Sequence, residues 1–231
     1  MKPPAKANPQ AKRAAKRAVP LDAAAPRWRR RAAARPAEII DAALTVFSAR
    51  GFEAATLDEV AREAGISKGT LYLYFDSKTA LFEAMALELM QGVVMHRLDA
   101  LLEGEAPAAA LHKLVGFMTH VLDDPRRVAM PKLIIAESAR FPQLAEIWLK
   151  TVITPLRGRI IALIERGIAT GAFRKVDAFE TSKLVIAPLL VAALWRQTFE
   201  RFDDRPSNPA LMLREHGEIL LRGLAKTATK E

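Results

Sequence analysis

The residues of this chain whose types and spacing best suit chemistry lie in SKGTLYLYFDSK, 67–78. The chemistry they suit is noncovalent. Ser67 and Thr70 offer hydroxyls, Lys68 and Lys78 are cations, and Tyr72 and Tyr74 join flat apolar bodies to phenol groups. Gly69 leaves a gap among them where backbone can approach a large partner closely. Such a set suits phosphate oxygens and base edges met by the start of a helix, and Lys78 can join the amides of the next helix at another phosphate. Nothing comparable serves covalent or acid–base chemistry. There is no G-x-S-x-G, no H-E-x-x-H and no glycine-rich phosphate loop. The histidines at 96, 112, 120 and 216 have no metal-ligand spacing, and the absence of cysteine excludes thiolate sites and disulfides. The expectation is a binding protein, not an enzyme, with no metal and no cofactor.

The flanking segments are those needed to hold such a helix. Ile39, Ile40, Ala43, Leu44 and Phe47 follow a 3.6 period from Pro36, a suitable first helical residue, to Gly51, a candidate C′ glycine with Phe52 folding back. TLDE at 56–59 has capping-box spacing, with Thr56 as N-cap and Glu59 reaching back. Leu57, Val60, Ala61 and Ala64 line the second helix, which stops at Gly65, and a third runs through 68–74. Two short helices joined by a glycine turn form a helix-turn-helix pattern. A longer helix starts near Ser77 and reaches about Leu102. Further helices are predicted over 107–122, 125–139, 143–150, 152–170, 177–201 and 208–226, separated by DDP, RFP, TGAF and DDRPSNP. No strand alternation and no repeat is present, so the fold class is all-α.

Charge divides the 231 residues unevenly. Residues 1–35 carry eleven Lys or Arg and one acid, a net of +10, while the whole chain is +9, leaving −1 for the rest. That Ala-, Pro- and Lys/Arg-rich segment reads as a disordered basic tail, with Arg27, Arg29, Arg30 and Arg31 nearest the folded part. Residues 36–82 hold four bases and seven acids, a net of −3. DNA contacts there depend on placement or on help from the tail. No apolar segment of signal-peptide type follows the basic start, and the longest apolar run, 184–194, is too short to span a bilayer and contains Pro188. A cytoplasmic protein without membrane association is expected.

The stretch IIDAALTVFSARGFEAATLDEVAREAGISKGTLYLYFDSKTALFEA, 39–84, resembles the TetR family of transcriptional regulators. Phe47, Gly51, Phe52 and Thr56 meet its F…GF…T run. Ala64 to Tyr72, then Tyr74, Phe75, Ser77, Lys78 and Leu81, meet its turn and the segment that follows. Thr79 departs from it, standing where an acid is common. ESARFPQL at 137–144 looks like a junction in the regulatory domains of AcrR-like members. The resemblance implies a helix-turn-helix domain over 36–82 and a regulatory, dimerisation and ligand-binding domain over 83–231. It implies DNA contacts by Thr56, Lys68, Thr70, Tyr72, Tyr74 and Lys78, beside the Ser67 and Gly69 read from the segment itself. The function implied is a homodimeric repressor released from a palindromic operator in double-stranded DNA by a small apolar or amphipathic ligand. The alternative is an architectural protein that coats DNA through its basic tail without reading sequence.

Segments 152–170 and 177–201 are apolar on more than one face, as an oligomer interface or a buried central helix requires. The resemblance favours a dimer seam there, with Ile161, Ile164, Leu184, Pro188, Leu189, Val191 and Leu194 as candidates. Apolar pockets form between the helices of bundles. Phe117, Met118, His120, Trp148 and Trp195 are the candidate lining.

Overall fold

The computed structural model describes residues 27–90 and 94–226, and all of its regular structure is helical apart from one isolated antiparallel bridge, Phe173 to Ala225. The expected all-α class is observed. Arg27–Ala54 forms α1, Leu57–Glu63 α2, Lys68–Tyr72 α3, Lys78–Met90 α4 and His96–Leu102 α5. Then come α6 (Pro107–Leu122), α7 (Pro125–Glu137), α8 (Pro142–Trp148), α9 (Thr154–Ala169), α10 (Ala178–Thr198) and α11 (Pro209–Leu224). A π-helical segment, Leu149–Ile153, joins α8 to α9, and a 3-10 turn, Glu200–Phe202, follows α10.

The local chemistry explains the boundaries. Pro107, Pro125, Pro142 and Pro209 each open a helix, where a missing N–H costs nothing because no carbonyl precedes it in the ladder. Ser67, Asp124, Asp177 and Asn208 accept from backbone amides as N-caps. One boundary differs from the sequence reading. α1 begins at Arg27, so 27–35, expected as disordered tail, is helical backbone, and Pro36, expected as the first helical residue, lies inside the helix. Residues 1–26 of that expected tail lie outside the described residues.

From Pro36 onward the described residues form one compact unit with two apolar cores. The first is built from Ile39, Phe47 and Phe52 of α1, Val60, Leu71 and Phe75 around the turn, and Leu81, Phe82 and Met85 of α4. It continues without a break into Met130, Leu133 and Ile134 of α7 and Leu144 of α8. The boundary drawn at residue 82 is therefore crossed by a shared core. The second core joins α5, α6, α9, α10 and α11 through Leu98, Leu111, Leu114, Ile160, Ile164, Val185 and Leu213.

Candidate DNA-binding surface and ligand cavity

The turn between α2 and α3 is fixed by backbone chemistry. Gly65 has φ +64 with nothing near the place of a Cβ, so it is glycine for its conformation. Its N–H donates to Arg62 O at 3.1 Å, and Ile66 N–H donates to Ala61 O at 2.9 Å, which closes α2 as a Schellman motif. At the other end Thr56 makes the expected capping box: its Oγ1 accepts from Glu59 N, while Glu59 Oε2 accepts from Thr56 N–H at 3.0 Å. The two helices thus enter and leave the turn at set angles.

At the start of α3 Ser67 and Lys68 are exposed and Thr70 is half-buried, and each has a polar partner in the protein. Ser67 Oγ accepts from Thr70 N–H at 3.1 Å and lies 2.8 Å from Thr70 Oγ1. Lys68 Nζ donates to both oxygens of Asp58 at 2.8 and 3.0 Å, and that carboxylate raises the lysine's pKa. Gly69 is different. Its φ is ordinary, and the nearest atom to a Cβ there would be Ser67 Oγ at 3.9 Å, so nothing in the protein requires glycine. Tyr72 and Tyr74 are exposed, and between them Leu73 is 83% exposed. The sequence reading gave Leu73 no role; its place between the two tyrosines was the available signal.

Lys78 is not where the sequence put it. Instead of facing outward, its Nζ donates to Phe52 O at 2.6 Å, Ala55 O at 2.9 Å and Glu53 O at 3.0 Å, and lies 4.7 Å from the Phe52 ring centre. All three ammonium protons are used on carbonyls of the short segment that follows the break at Gly51, where α1 turns toward α2. Burial lowers its pKa, opposed by the carboxylates of Glu137 and Glu53. Arg50 pairs with Glu59. Of the four bases in 36–82, Arg62 alone has neither ion pair nor carbonyl partner among the described contacts. Arg27, Arg29, Arg30 and Arg31 fall in the first turns of α1, and their side chains lie outside the described residues.

A separate apolar cavity of about 130 Å³ lies among α6, α7, α9, α10 and the π segment. Val128 and Pro131, Trp148, Val152 and Ile153, Leu156, and Ile186 and Leu189 line it, with Arg127 as the one charged residue. Arg127 donates from Nε to Leu89 O at 2.9 Å, with Nη1 3.5 Å from Asp124. Of the expected lining only Trp148 is present. Met118 is buried in the second core, and Phe117 is wedged between the two cores. His120 is exposed beside Asp123. Trp195 lies outside this cavity but lines a second, more open one of about 800 Å³ with Val191, Asp203, Arg205 and Leu211, and donates to Asp203 at 3.0 Å. Phe117, Met118 and His120 line no cavity because helical period reports which face is apolar, not which apolar side chains leave a void.

The seam candidates also divide. Ile164 is fully buried in the second core and Leu189 turns into the cavity, so neither is free to meet another chain. Ile161, Pro188 and Leu194 are half-buried. Leu184 and Val191 are 59% and 51% exposed, and Trp195 and Phe199 continue their row at helical spacing. α10 has a mean hydropathy of 1.5 over its most apolar window, long enough to cross a membrane by composition, yet only 28% of that window is buried. Much of its apolar surface is unpartnered.

Comparison with known proteins agrees with this geometry. Residues 39–85 match the family described as bacterial regulatory proteins, tetR family, and residues 109–211 match the AefR-like transcriptional repressor C-terminal domain, where the sequence suggested an AcrR-like one. YfiR of Bacillus subtilis, described as an uncharacterized HTH-type transcriptional regulator, is 29% identical over 155 residues, 64% of this chain and 72% of that protein. IcaR of Staphylococcus aureus, the negative transcriptional regulator of the biofilm operon icaADBC, is 46% identical over 46 residues; the match spans 20% of this chain and 25% of that protein. Among solved structures, FadR of Bacillus subtilis in complex with stearoyl-CoA shares the fold, with a TM-score of 0.67 at 18% identity over 81% of this chain and 98% of that one. With a capped helix-turn-helix in the first part and both parts of the chain matched, the protein belongs to the TetR family of DNA-binding transcriptional regulators.

Proposed function

We propose that the chain acts as a homodimeric repressor that reads a palindromic operator through α3 and leaves it when a small molecule fills the cavity. The observation that carries the reading is Gly69. A glycine inside a helix costs roughly 0.5–1 kcal/mol relative to alanine, and here no neighbour in the protein repays it. Its use lies outside the protein, where backbone meets a close partner. Ser67, Lys68, Thr70, Tyr72 and Tyr74 surround it and supply donors, while Thr56 starts α2 beside them. Lys78 acts as a cap and not as a phosphate contact.

Selection of bound DNA from a random pool, followed by footprinting, tests this. Two half-sites should emerge with centres about 10 base pairs apart, or a multiple of that spacing. Gly69→Ala should make the protein slightly more stable to urea and yet weaken operator binding. Thr70→Ala and Tyr72→Ala should each cost roughly tenfold in affinity with helicity unchanged. Full operator affinity in all three would remove α3 from the reading role. Binding of random DNA without a preferred palindrome would favour the coating alternative.

The ligand is inferred from the cavity walls: an apolar body with an anionic end that meets Arg127. Trp148 gives the readout. In a Trp28→Phe, Trp195→Phe background, hexanoate should change the remaining fluorescence at lower concentration than hexanol, and Arg127→Gln should remove that difference. The same additions should lower operator affinity, and operator should weaken their binding by an equal factor. Equal response to acid and alcohol would sink the anionic end.

A further inference from the structure

ESARFPQL stands out in the sequence, and DNA reading and ligand binding leave its purpose open. The structure seats it against the end of α1. Glu137 Oε1 accepts from Phe52 N–H at 3.0 Å. Arg140 pairs with Glu53, and the Phe141 ring meets the Phe52 ring edge-on with centres 5.2 Å apart. Leu144 is fully buried in the core shared with α1 and α4.

Gly51 makes the contact possible. Its φ of +79 with ψ of 165 lies in a region that is nearly closed to other residues. A Cβ there would also collide with the Glu137 carboxylate. The carboxylate occupies the space that the missing side chain leaves. The peptide groups of Phe52 are then held from two directions: Glu137 takes its N–H, and Lys78 of α4 donates to its C=O at 2.6 Å. The Phe52 ring, 2% exposed, is packed by Phe47, Phe82 and Phe141. Thr56, which starts α2, lies just beyond. Whatever holds Phe52 therefore sets where the α2–α3 pair stands relative to α7. The negative carboxylate also opposes the effect of burial on Lys78.

We infer that Glu137 is a positioning residue for DNA reading: seated in the gap at Gly51, it fixes the Phe52 peptide and thereby the reading helices against the regulatory part. A hydrogen bond of set length does this. Apolar packing of Phe52 and Phe141 gives adhesion without direction, whereas the bond to Phe52 N–H removes the freedom to rock. Two reading units so fixed have one separation, and the protein discriminates sharply between operator spacings. This consequence rests on the palindrome reading; the bond itself does not.

The test uses the full-length chain and the selected operator, together with operators one base pair longer and shorter between half-sites. Glu137→Ala removes the acceptor. Glu137→Asp keeps the charge but is too short to reach Phe52, and it covers the case in which the alanine variant fails to fold. Glu137→Gln keeps an acceptor at the right reach and loses the charge. Ala and Asp variants should lose about tenfold in affinity for the native spacing, the loss expected for one hydrogen bond. They should also lose most of the preference for that spacing, with circular dichroism unchanged. The Gln variant should retain both. A merely structural role would lower binding to all three operators alike and leave the preference intact, which overturns the inference. So does wild-type affinity in the Asp variant. If the wild type itself shows no spacing preference, the palindrome reading has failed, and the order Gln above Asp and Ala in affinity still decides the positioning role.

Discussion

Val191→Arg should leave a soluble, helical monomer that no longer holds operator DNA. The residue sits on the outer face of α10, half in solvent, so an arginine is harmless to the isolated chain. Its neighbours in the row are Leu184, Trp195 and Phe199, all exposed and apolar. A second copy laid against this row would bury the new guanidinium without a counter-charge, at a cost of several kcal/mol. That is enough to abolish a seam of ordinary size. Loss of the dimer then separates the two half-sites. Each α3 presents a handful of contacts, and linked sites gain about 10²–10⁴ in apparent affinity over single ones. Light scattering at micromolar concentration and a gel shift with the selected operator measure both effects. Leu189→Arg is the contrast: that side chain turns into the cavity, so it should damage folding or ligand response before it damages the seam. A Val191→Arg dimer with normal operator binding would put the interface elsewhere.

How much of this was legible in the sequence depends on the range of the interaction concerned. The capping box at Thr56 and Glu59 and the glycine turn at Gly65 are set by neighbours within five residues, and each stands as read. The helices opened by Pro107, Pro125, Pro142 and Pro209 are local in the same sense. Lys78 was misread because its alternatives differ only in three dimensions. A lysine at the start of a helix can face a phosphate or fold back, and the carbonyls of Phe52, Glu53 and Ala55 come from the segment after Gly51, more than twenty residues earlier. Ile164 and Leu189 failed likewise. An apolar helix has several apolar faces, and only the neighbours decide which one packs, which lines a void and which stays free. Glu137 was singled out with its motif but given no partner, since the hole it fills is the absence of a side chain at Gly51.

Removal of residues 1–31 should lower affinity for operator and random DNA by similar, large factors. The reading unit has little free positive charge to draw on. Arg50 and Lys68 are paired with Glu59 and Asp58, Lys78 is turned inward, and residues 36–82 sum to −3. Residues 1–31 contribute ten bases and one acid per chain. We propose that this segment lies along the DNA, with Arg27, Arg29, Arg30 and Arg31, in the first turns of α1, neutralising phosphates of the backbone. Each phosphate neutralised adds roughly 0.9 to the slope of log affinity against log salt. If those four arginines are engaged in both protomers, the intact protein should have a slope steeper by about 7 than the truncated one. Such a difference changes affinity by about 10³–10⁵ between low and moderate salt. Specificity, the ratio of operator to random binding, should hardly move, because phosphate contacts position a protein without reading bases. Titrations of both proteins across that salt range give the answer directly. Converging lines assign the tail to the DNA backbone, whereas parallel lines mean that α3 and its neighbours bind without it and that Lys68 must leave Asp58 to reach a phosphate.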